Sequence, residues 1–467
     1  MGTDEVAGVF ARILESRASR ALLMLLASRP ASAIERALEV AVGVRPPESL
    51  SERVTASLLT RVVSAGARSF GADPSEVLAR MRDPYWRRAL VSVLRGLAYF
   101  GLRKPFVPGA PFLVVWDVTY ACNLRCRHCY ANAGRPLPGE LTTEEALEAV
   151  DKLADAGVVA IAWSGGEPLV RPDIYELSAR ARDRGMFVAV ATNGTLLDEE
   201  TADRLWESGV RFVQVSLDGA SPETHDEFRG VPGAWERAVR GIRAAVRRGF
   251  FVNVSVTVTK RNLGEIPRLV DLAEELGAHW LMAFNFVPTG RGELMSDEDI
   301  TPEEREELLR YFYSEMKRGR RVQLLSTAPQ FARVAIQMSS EGKLLFPTHF
   351  YDAELSGRLR SLAEFIGGCG AGRFYVAMTP DGWLKPCVFI PVRLANIREL
   401  EDFSEWWRTD PTLEALRDKD SLAEPCGSCR YRYVCGGCRA RAYGYLGDLR
   451  APDPGCVLAS RLLEVTA

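Results

Sequence analysis

Apolar residues recur along this chain with two different periods. Through residues 1–107 Leu, Ala and Val return every three or four positions, as in Val54, Leu58, Leu59, Val62 and Val63; a helix-like stretch, Ala21–Leu26, comes earlier. That spacing predicts an all-helical N-terminal region, with breaks at Arg45-Pro46-Pro47 and Asp83-Pro84. From Phe112 the pattern becomes one of short apolar runs, the kind that form parallel strands buried on both faces. They span 112–116, 158–163, 187–192, 212–217, 252–259 and 279–286. Helix-period segments separate them. Thr143 to Ala156 follows a capping signal in Thr142 and Glu145, and Ala234 to Arg248 stops at Gly249. Six strands alternating with helices predict an α/β fold with a parallel sheet, open or curled into a partial (β/α)6 TIM-like barrel, over residues 108–295. In that architecture functional residues collect at the C-terminal ends of the strands. Residues 296–366 read as a polar helical linker. Residues 367–467 are short, Gly/Pro-punctuated and Cys-rich, too small for a sufficient core without metal.

Composition narrows the class. Of 467 residues 47% are hydrophobic, which excludes a disordered chain. Lys+Arg total 59 against 61 Asp+Glu, a net charge of −2 that argues against nucleic acid as a partner. No apolar run reaches the ~20 residues of a transmembrane segment and no signal-peptide layout opens the chain, so a cytoplasmic protein is expected. The first 105 residues carry 16 basic and 10 acidic side chains. A basic helical region suits an acidic partner, a membrane surface or a solvated cap on the main domain.

The ten cysteines change the picture most. Three lie within eight residues and seven follow residue 368, a grouping that suits metal or iron–sulfur ligands in a reducing compartment better than disulfides. Cys122-x3-Cys126-x2-Cys129 stands directly after the first expected strand. Three thiolates this close suit three corners of a 4Fe–4S cluster and leave the fourth iron open to a small molecule. Zinc would need His128 as fourth ligand, strained between two of the cysteines.

Other strand ends carry matching signals: Ser164-Gly165-Gly166-Glu167-Pro168-Leu169, Thr192-Asn193-Gly194, Ser216-Leu217-Asp218-Gly219, and Phe286-Val287-Pro288-Thr289-Gly290-Arg291-Gly292. With the cysteine triplet they make residues 110–295 resemble the radical S-adenosylmethionine (radical SAM) superfamily. The resemblance implies an oxygen-sensitive enzyme. Its 4Fe–4S cluster, on Cys122, Cys126 and Cys129, binds S-adenosylmethionine and splits it with one electron into methionine and a 5′-deoxyadenosyl radical. That radical abstracts hydrogen from an unactivated C–H bond. The resemblance also implies cofactor contacts at Gly165, Gly166, Glu167 and Pro168 for the methionine amine. Asn193, Ser216 and Asp218 are implied for ribose, carboxylate or substrate, and His128 and Val287 for the adenine. Tyr130 would shield the cluster, and a low-potential donor, ferredoxin or flavodoxin, would supply electrons.

The remaining cysteines are Cys369, Cys387, Cys426-x2-Cys429-x5-Cys435-x2-Cys438 and Cys456. They resemble the SPASM extension of many radical SAM enzymes, which holds two auxiliary 4Fe–4S clusters. By that analogy Cys426, Cys429, Cys435 and Cys456 hold one, and Cys369, Cys387 and Cys438 the other, with an open iron or a non-Cys ligand. The family shows three residues between the last two cysteines of the quartet where this chain has two. Taken alone, two C-x2-C pairs also suit structural zinc. The run Cys435 to Tyr443, with Thr224 to Gly230, is most similar to the branch that decarboxylates iron-coproporphyrin or matures haem d1, so the resemblance implies a tetrapyrrole substrate. There Arg229 or Arg291 would pair with a propionate. A peptide, as in peptide or sulfatase maturases, is the alternative. A non-catalytic iron–sulfur scaffold or electron carrier is a third, which the intact cysteine triplet and Gly165-Gly166-Glu167-Pro168 speak against. Asp117 and Thr119 alternate onto one strand face, toward the barrel interior.

Overall fold

In the computed structural model, which describes residues 31–69, 73–339, 343–347, 352–356 and 362–460, the apolar run after Phe112 becomes β1 (Leu113–Thr119). Five more parallel strands follow: β2 (Ala160–Gly165), β3 (Phe187–Thr192), β4 (Val210–Ser216), β5 (Phe251–Val258) and β6 (Trp280–Asn285). Each pairs with the next in order. Apolar residues on both faces let the sheet be covered outside by helices and filled inside. Val114, Trp116, Ile161, Trp163, Val188, Val190, Val213 and Val252 are all at most 1% exposed in one continuous core. The helix Thr143–Ala156 has both halves of its capping box, and Ala234–Arg248 ends at Gly249 with φ of 95°.

The sheet runs further at both edges than its sequence suggested. The stretch expected to be a helical linker does hold the helix Pro302–Lys317, but also β7 (Gln323–Ser326), parallel to β6, and a hairpin of β8 (Lys343–Pro347) and β9 (Asp352–Ser356). The Cys-rich region adds β10 (Tyr375–Met378), parallel to β1, then antiparallel β11 (Trp383–Lys385) and β12 (Ala395–Asn396). The result is a partial (β/α)6 barrel widened into a ten-stranded open sheet, ending at β12 and β7. Residues after 367 therefore share the barrel's core and do not rely on metal alone: Val376, Met378, Leu384 and Trp407 are fully buried in it, and Trp407 Nε1 donates to Pro108 O at 2.9 Å.

Of the described N-terminal helices, Ala31–Ala41, Leu50–Ser69 and Pro84–Phe100 enclose a small core of Ile34, Leu38, Leu59 and Val91, and the short Pro74–Arg80 buries no residue. The stretch Ala21–Leu26 lies outside the described residues. The last helix docks on the barrel through arginines. Arg88 donates to Val158 O and Ala154 O, and Arg95 to Ala156 O at 3.1 Å. The Ala154 and Ala156 carbonyls end the helix Thr143–Ala156, where cations are favoured. The contact lies at the N-terminal ends of the strands, so the basic helices cap the barrel at the end opposite its functional mouth. Among the described residues no helix is long and apolar enough to cross a membrane.

Candidate active site

The loop after β1 carries Cys122, Cys126 and Cys129, and three neighbours hold it. The end of β2 presses against its start: Gly166 N–H donates to Thr119 O at 2.7 Å and Glu167 N–H to Ala121 O at 2.9 Å. A Cβ on Gly166 would lie 2.1 Å from Ala121 O, and one on Gly165 (φ of 120°) 2.4 Å from Thr119 O. Only glycines allow that approach. The helix Pro222–Arg229 supports the middle of the loop. Its Phe228 and Arg229 carbonyls accept from Arg127 and Arg125, and the His128 ring stacks on Phe228 at 4.1 Å. The far side is clasped by the turn after β6. Arg291 donates to Cys126 O at 2.8 Å and Ala133 O at 2.7 Å, and Gly290 approaches Tyr130 O too closely for a side chain.

The loop closes one wall of an open-mouthed cavity at the C-terminal ends of the strands. Cys122, Cys126, Cys129, His128, Gly165, Gly166, Asn193, Ser216 and Val287 all line it, with Tyr130, Phe284 and Phe389. Glu167, Pro168 and Asp218 do not, and their side chains are engaged elsewhere. Glu167 is fully buried and accepts from Thr192 Oγ1 (2.7 Å), Asn193 N (2.8 Å) and Leu169 N (3.1 Å), tying the ends of β2 and β3 together. Pro168 starts a single turn, Pro168–Val170. Asp218 is fully buried, ion-paired with Arg229 Nη2 at 2.5 Å, and accepts from Thr257 N–H. Arg229 and Arg291, expected at a substrate carboxylate, both line the cavity; Arg229 also pairs with Asp218 and Arg291 also bonds the cysteine loop.

The donor set fits an iron–sulfur cluster. Each sulfur of the triplet already receives an N–H: Leu124 N to Cys122 and Ala133 N to Cys129, both at 3.4 Å, and Arg229 Nη1 to Cys126 at 3.5 Å. Hydrogen bonds to sulfur are a means by which proteins tune such clusters. Burial pushes the Cys122 thiol up to about 12 and raises Cys126 as well, so a bound cation is what would hold them as thiolates. Buried His128 is held neutral by burial, with Arg229 and Arg291 adding to the effect. His128 Nδ1 and Asn285 Nδ2, at the cavity wall, have no partner among the described residues. Buried polar atoms of that kind call for a ligand.

Two interactions beside the cavity escaped sequence analysis. Tyr130 Oη donates to Asp117 Oδ1 at 2.8 Å and lies 3.1 Å from Ser164 Oγ. Burial pushes the Asp117 carboxyl up to about 6 against the nearby Lys385 charge and these hydrogen bonds. Asn193 Nδ2 donates to Asn123 Oδ1. The alternation of Asp117 and Thr119 was the sequence signal for the first; the second had none.

The seven later cysteines fall into two groups. Cys369, Cys387 and Cys438 share one buried cluster with Tyr375 and Val287. Cys435 is within electrostatic reach of Cys456 and Cys426, and Cys426 of Cys429. Gly436 and Gly437, with φ of 63° and 65°, turn the chain so that Cys435 and Cys438 serve different groups across a two-residue gap.

Residues 116–273 match the family model described as Radical SAM superfamily. Over 352 residues the chain is 41% identical to the AdoMet-dependent heme synthase of Methanosarcina barkeri, covering 74% of this chain and 97% of that protein. The chain belongs to the radical SAM superfamily. This radical SAM enzyme is also 35% identical to the mycofactocin maturase MftC of Mycobacterium ulcerans, over 74% of this chain and 88% of that one. Its fold is similar to that of Streptococcus suis SuiB bound to S-adenosylmethionine, with a TM-score of 0.60 and 17% identity over 87% of this chain and 89% of that. Membership implies S-adenosylmethionine and a 4Fe–4S cluster as cofactors.

Proposed function

We propose that this radical SAM enzyme acts on a tetrapyrrole and decarboxylates propionate side chains: each gives up a hydrogen atom to the 5′-deoxyadenosyl radical, then carbon dioxide and one electron, which an auxiliary cluster would accept. The observation that carries this is the 41% identity across 97% of a heme synthase, against 35% to a peptide-pathway maturase. In this proposal Cys122, Cys126 and Cys129 hold the catalytic cluster. When bound, cluster and S-adenosylmethionine supply one-electron cleavage of a carbon–sulfur bond and hydrogen abstraction.

The chain's own residues bind, orient and exclude water. Gly165 and Gly166 keep the β2 end flush with the cysteine loop. The N–H groups of Gly166 and Glu167 are engaged there, which leaves backbone carbonyls to receive the methionine ammonium. Asn193 and Ser216 offer hydrogen bonds at adjacent strand ends. Neutral His128, backed by Phe228, presents a flat edge for a purine, beside Val287. Glu167 and Asp218 are positioning residues, acting through Asn193 and Arg229. Tyr130, Phe284 and Phe389 wall the cavity with aromatic surface and keep the reacting space dry. Auxiliary clusters on Cys426, Cys429, Cys435 and Cys456, and on Cys369, Cys387 and Cys438, complete the proposal. So does a reducing cytoplasmic setting with ferredoxin or flavodoxin as donor.

The test is anaerobic reconstitution with iron and sulfide, then dithionite, S-adenosylmethionine and iron-coproporphyrin, followed by mass spectrometry. A decarboxylated tetrapyrrole with 5′-deoxyadenosine supports the proposal, and Cys126→Ala abolishes both. A modified peptide, with the tetrapyrrole untouched, overturns the substrate assignment. No 5′-deoxyadenosine from iron-loaded protein would leave a scaffold or electron carrier.

A further inference from the structure

The three cysteine groups differ in the charges around them. Beside the catalytic loop, Arg229 is neutralised by Asp218. Beside Cys435 and Cys456, Arg333 is ion-paired with Glu306. Beside Cys426 stands one buried cation, Arg439, which has no carboxylate partner among the described residues and donates to the carbonyls of Gly437, Leu449 and Ala451. Around Cys369, Cys387 and Cys438 there are two such cations and a hydroxyl. Arg373 is fully buried and its guanidinium donates only to main-chain carbonyls, those of Phe106, Phe365, Ile366, Gly367 and Cys369. Lys419 is 1% exposed and donates to Leu416 O at 2.8 Å. Among the described residues neither forms an ion pair with a carboxylate; Cys369 is the anionic side chain both feel most, and Lys419 also feels Cys435. The acid nearest this group, Asp453, accepts from Cys438 N–H and is matched by Arg441.

A third polar group completes the surroundings. Tyr375 Oη donates to Cys387 Sγ at 2.6 Å inside the same apolar cluster that holds all three cysteines. Buried cations without counter-charge are costly, and a hydroxyl already donating to sulfur binds a thiolate more strongly than a thiol. A thiolate-bound iron–sulfur centre, with its net negative charge, satisfies all three. Positive charge and a hydrogen bond to sulfur both favour the reduced, more negative state of such a centre.

We propose that Tyr375, Lys419 and Arg373 are positioning residues that set the potential of a centre on Cys369, Cys387 and Cys438, making it the most easily reduced of the three in this chain. This rests on the auxiliary-cluster part of the proposed function and adds which centre holds electrons and which side chains decide it. The placement suits that role: Val287 and Phe389 belong to the surroundings of this centre and also to the cavity wall.

The experiment is a redox titration of the full-length, anaerobically reconstituted protein followed by electron paramagnetic resonance. Cys387→Ala identifies the signal by removing it. Its wild-type midpoint is expected to be the least negative of the three. Tyr375→Phe keeps the ring and removes the donor; Lys419→Met keeps the apolar stem and removes the charge. Each is expected to lower the reduced-to-oxidised ratio of that signal at fixed potential about tenfold, a shift of ~59 mV for one electron. The other two signals stay in place in Tyr375→Phe; in Lys419→Met the catalytic-loop signal stays in place and that of the Cys435 group moves less than that of the Cys387 group. Unmoved midpoints in both variants, equal shifts in all signals, or a wild-type midpoint below the others overturns the inference alone. A wild type with no signal that Cys387→Ala removes overturns the auxiliary-cluster assignment along with it.

Discussion

Arg229 connects the catalytic loop to the barrel through one charge. It leaves the helix Pro222–Arg229, pairs with fully buried Asp218, and reaches Cys126 Sγ. Removing one member of a buried pair leaves the other unmatched, at about 3–5 kcal/mol. Arg229→Met is therefore expected to lower unfolding free energy in urea by about that much and to reduce iron retained after reconstitution. The double variant with Asp218→Asn is expected to recover part of the loss. Gly166 acts by having no side chain. Gly166→Ala places a carbon 2.1 Å from Ala121 O, a backbone atom that moves only with the cysteine loop. The expected cost is about 1–3 kcal/mol, with iron content falling faster than the melting temperature. At this scale the cysteines were legible because thiols at such spacing have few other uses. The roles of Arg229, Arg291, Glu167 and Asp218 were not, because a charged side chain's partner is set by folding and not by its neighbours in sequence.

The helix Thr143–Ala156 was legible in full, since its capping box and period are local. The same cap also serves the tertiary structure. Arg398 and the Thr142 N–H both bond the Glu145 carboxylate, holding its carboxyl at about 2 against the usual 4.5. A carboxyl held low stabilises the fold fully above the unfolded value and loses that contribution as pH falls toward the folded one. Wild type should thus melt above Glu145→Gln at about pH 6, and the gap should close as the pH is lowered through about 4 toward 2. Glu145 is 37% exposed, so the gap is small and shrinks with salt. The strands β10 to β12 were not legible. They are two to four residues long, below the length at which alternation can be told from chance, and β10 finds its partner in β1, more than 250 residues earlier.

Across the whole molecule, the Cys-rich region and the barrel form one sheet with one core. A chain ending after residue 366 loses the β10 partner of β1 and exposes an edge whose apolar residues were paired. It is expected to elute from size exclusion as aggregates, whereas a merely tethered C-terminal domain would leave a monomeric barrel. The basic helices occupy the opposite end from the cavity, with Arg88 and Arg95 turned inward to helix carbonyls. The charges of Arg88 and Arg95 are thus engaged within the chain, while Arg53, Arg61 and Arg68 stay exposed.

The sequence by itself determined the parallel barrel, the cysteine triplet after its first strand, the glycine-rich end of the second, and the division of ten cysteines into an early and a late set. These are written in local period and spacing, which survive without knowledge of the partner. Only the tertiary structure decided which buried charges meet and where the late cysteines join the sheet. Those outcomes depend on contacts between residues hundreds of positions apart, chosen by burial and charge balance once the core has closed.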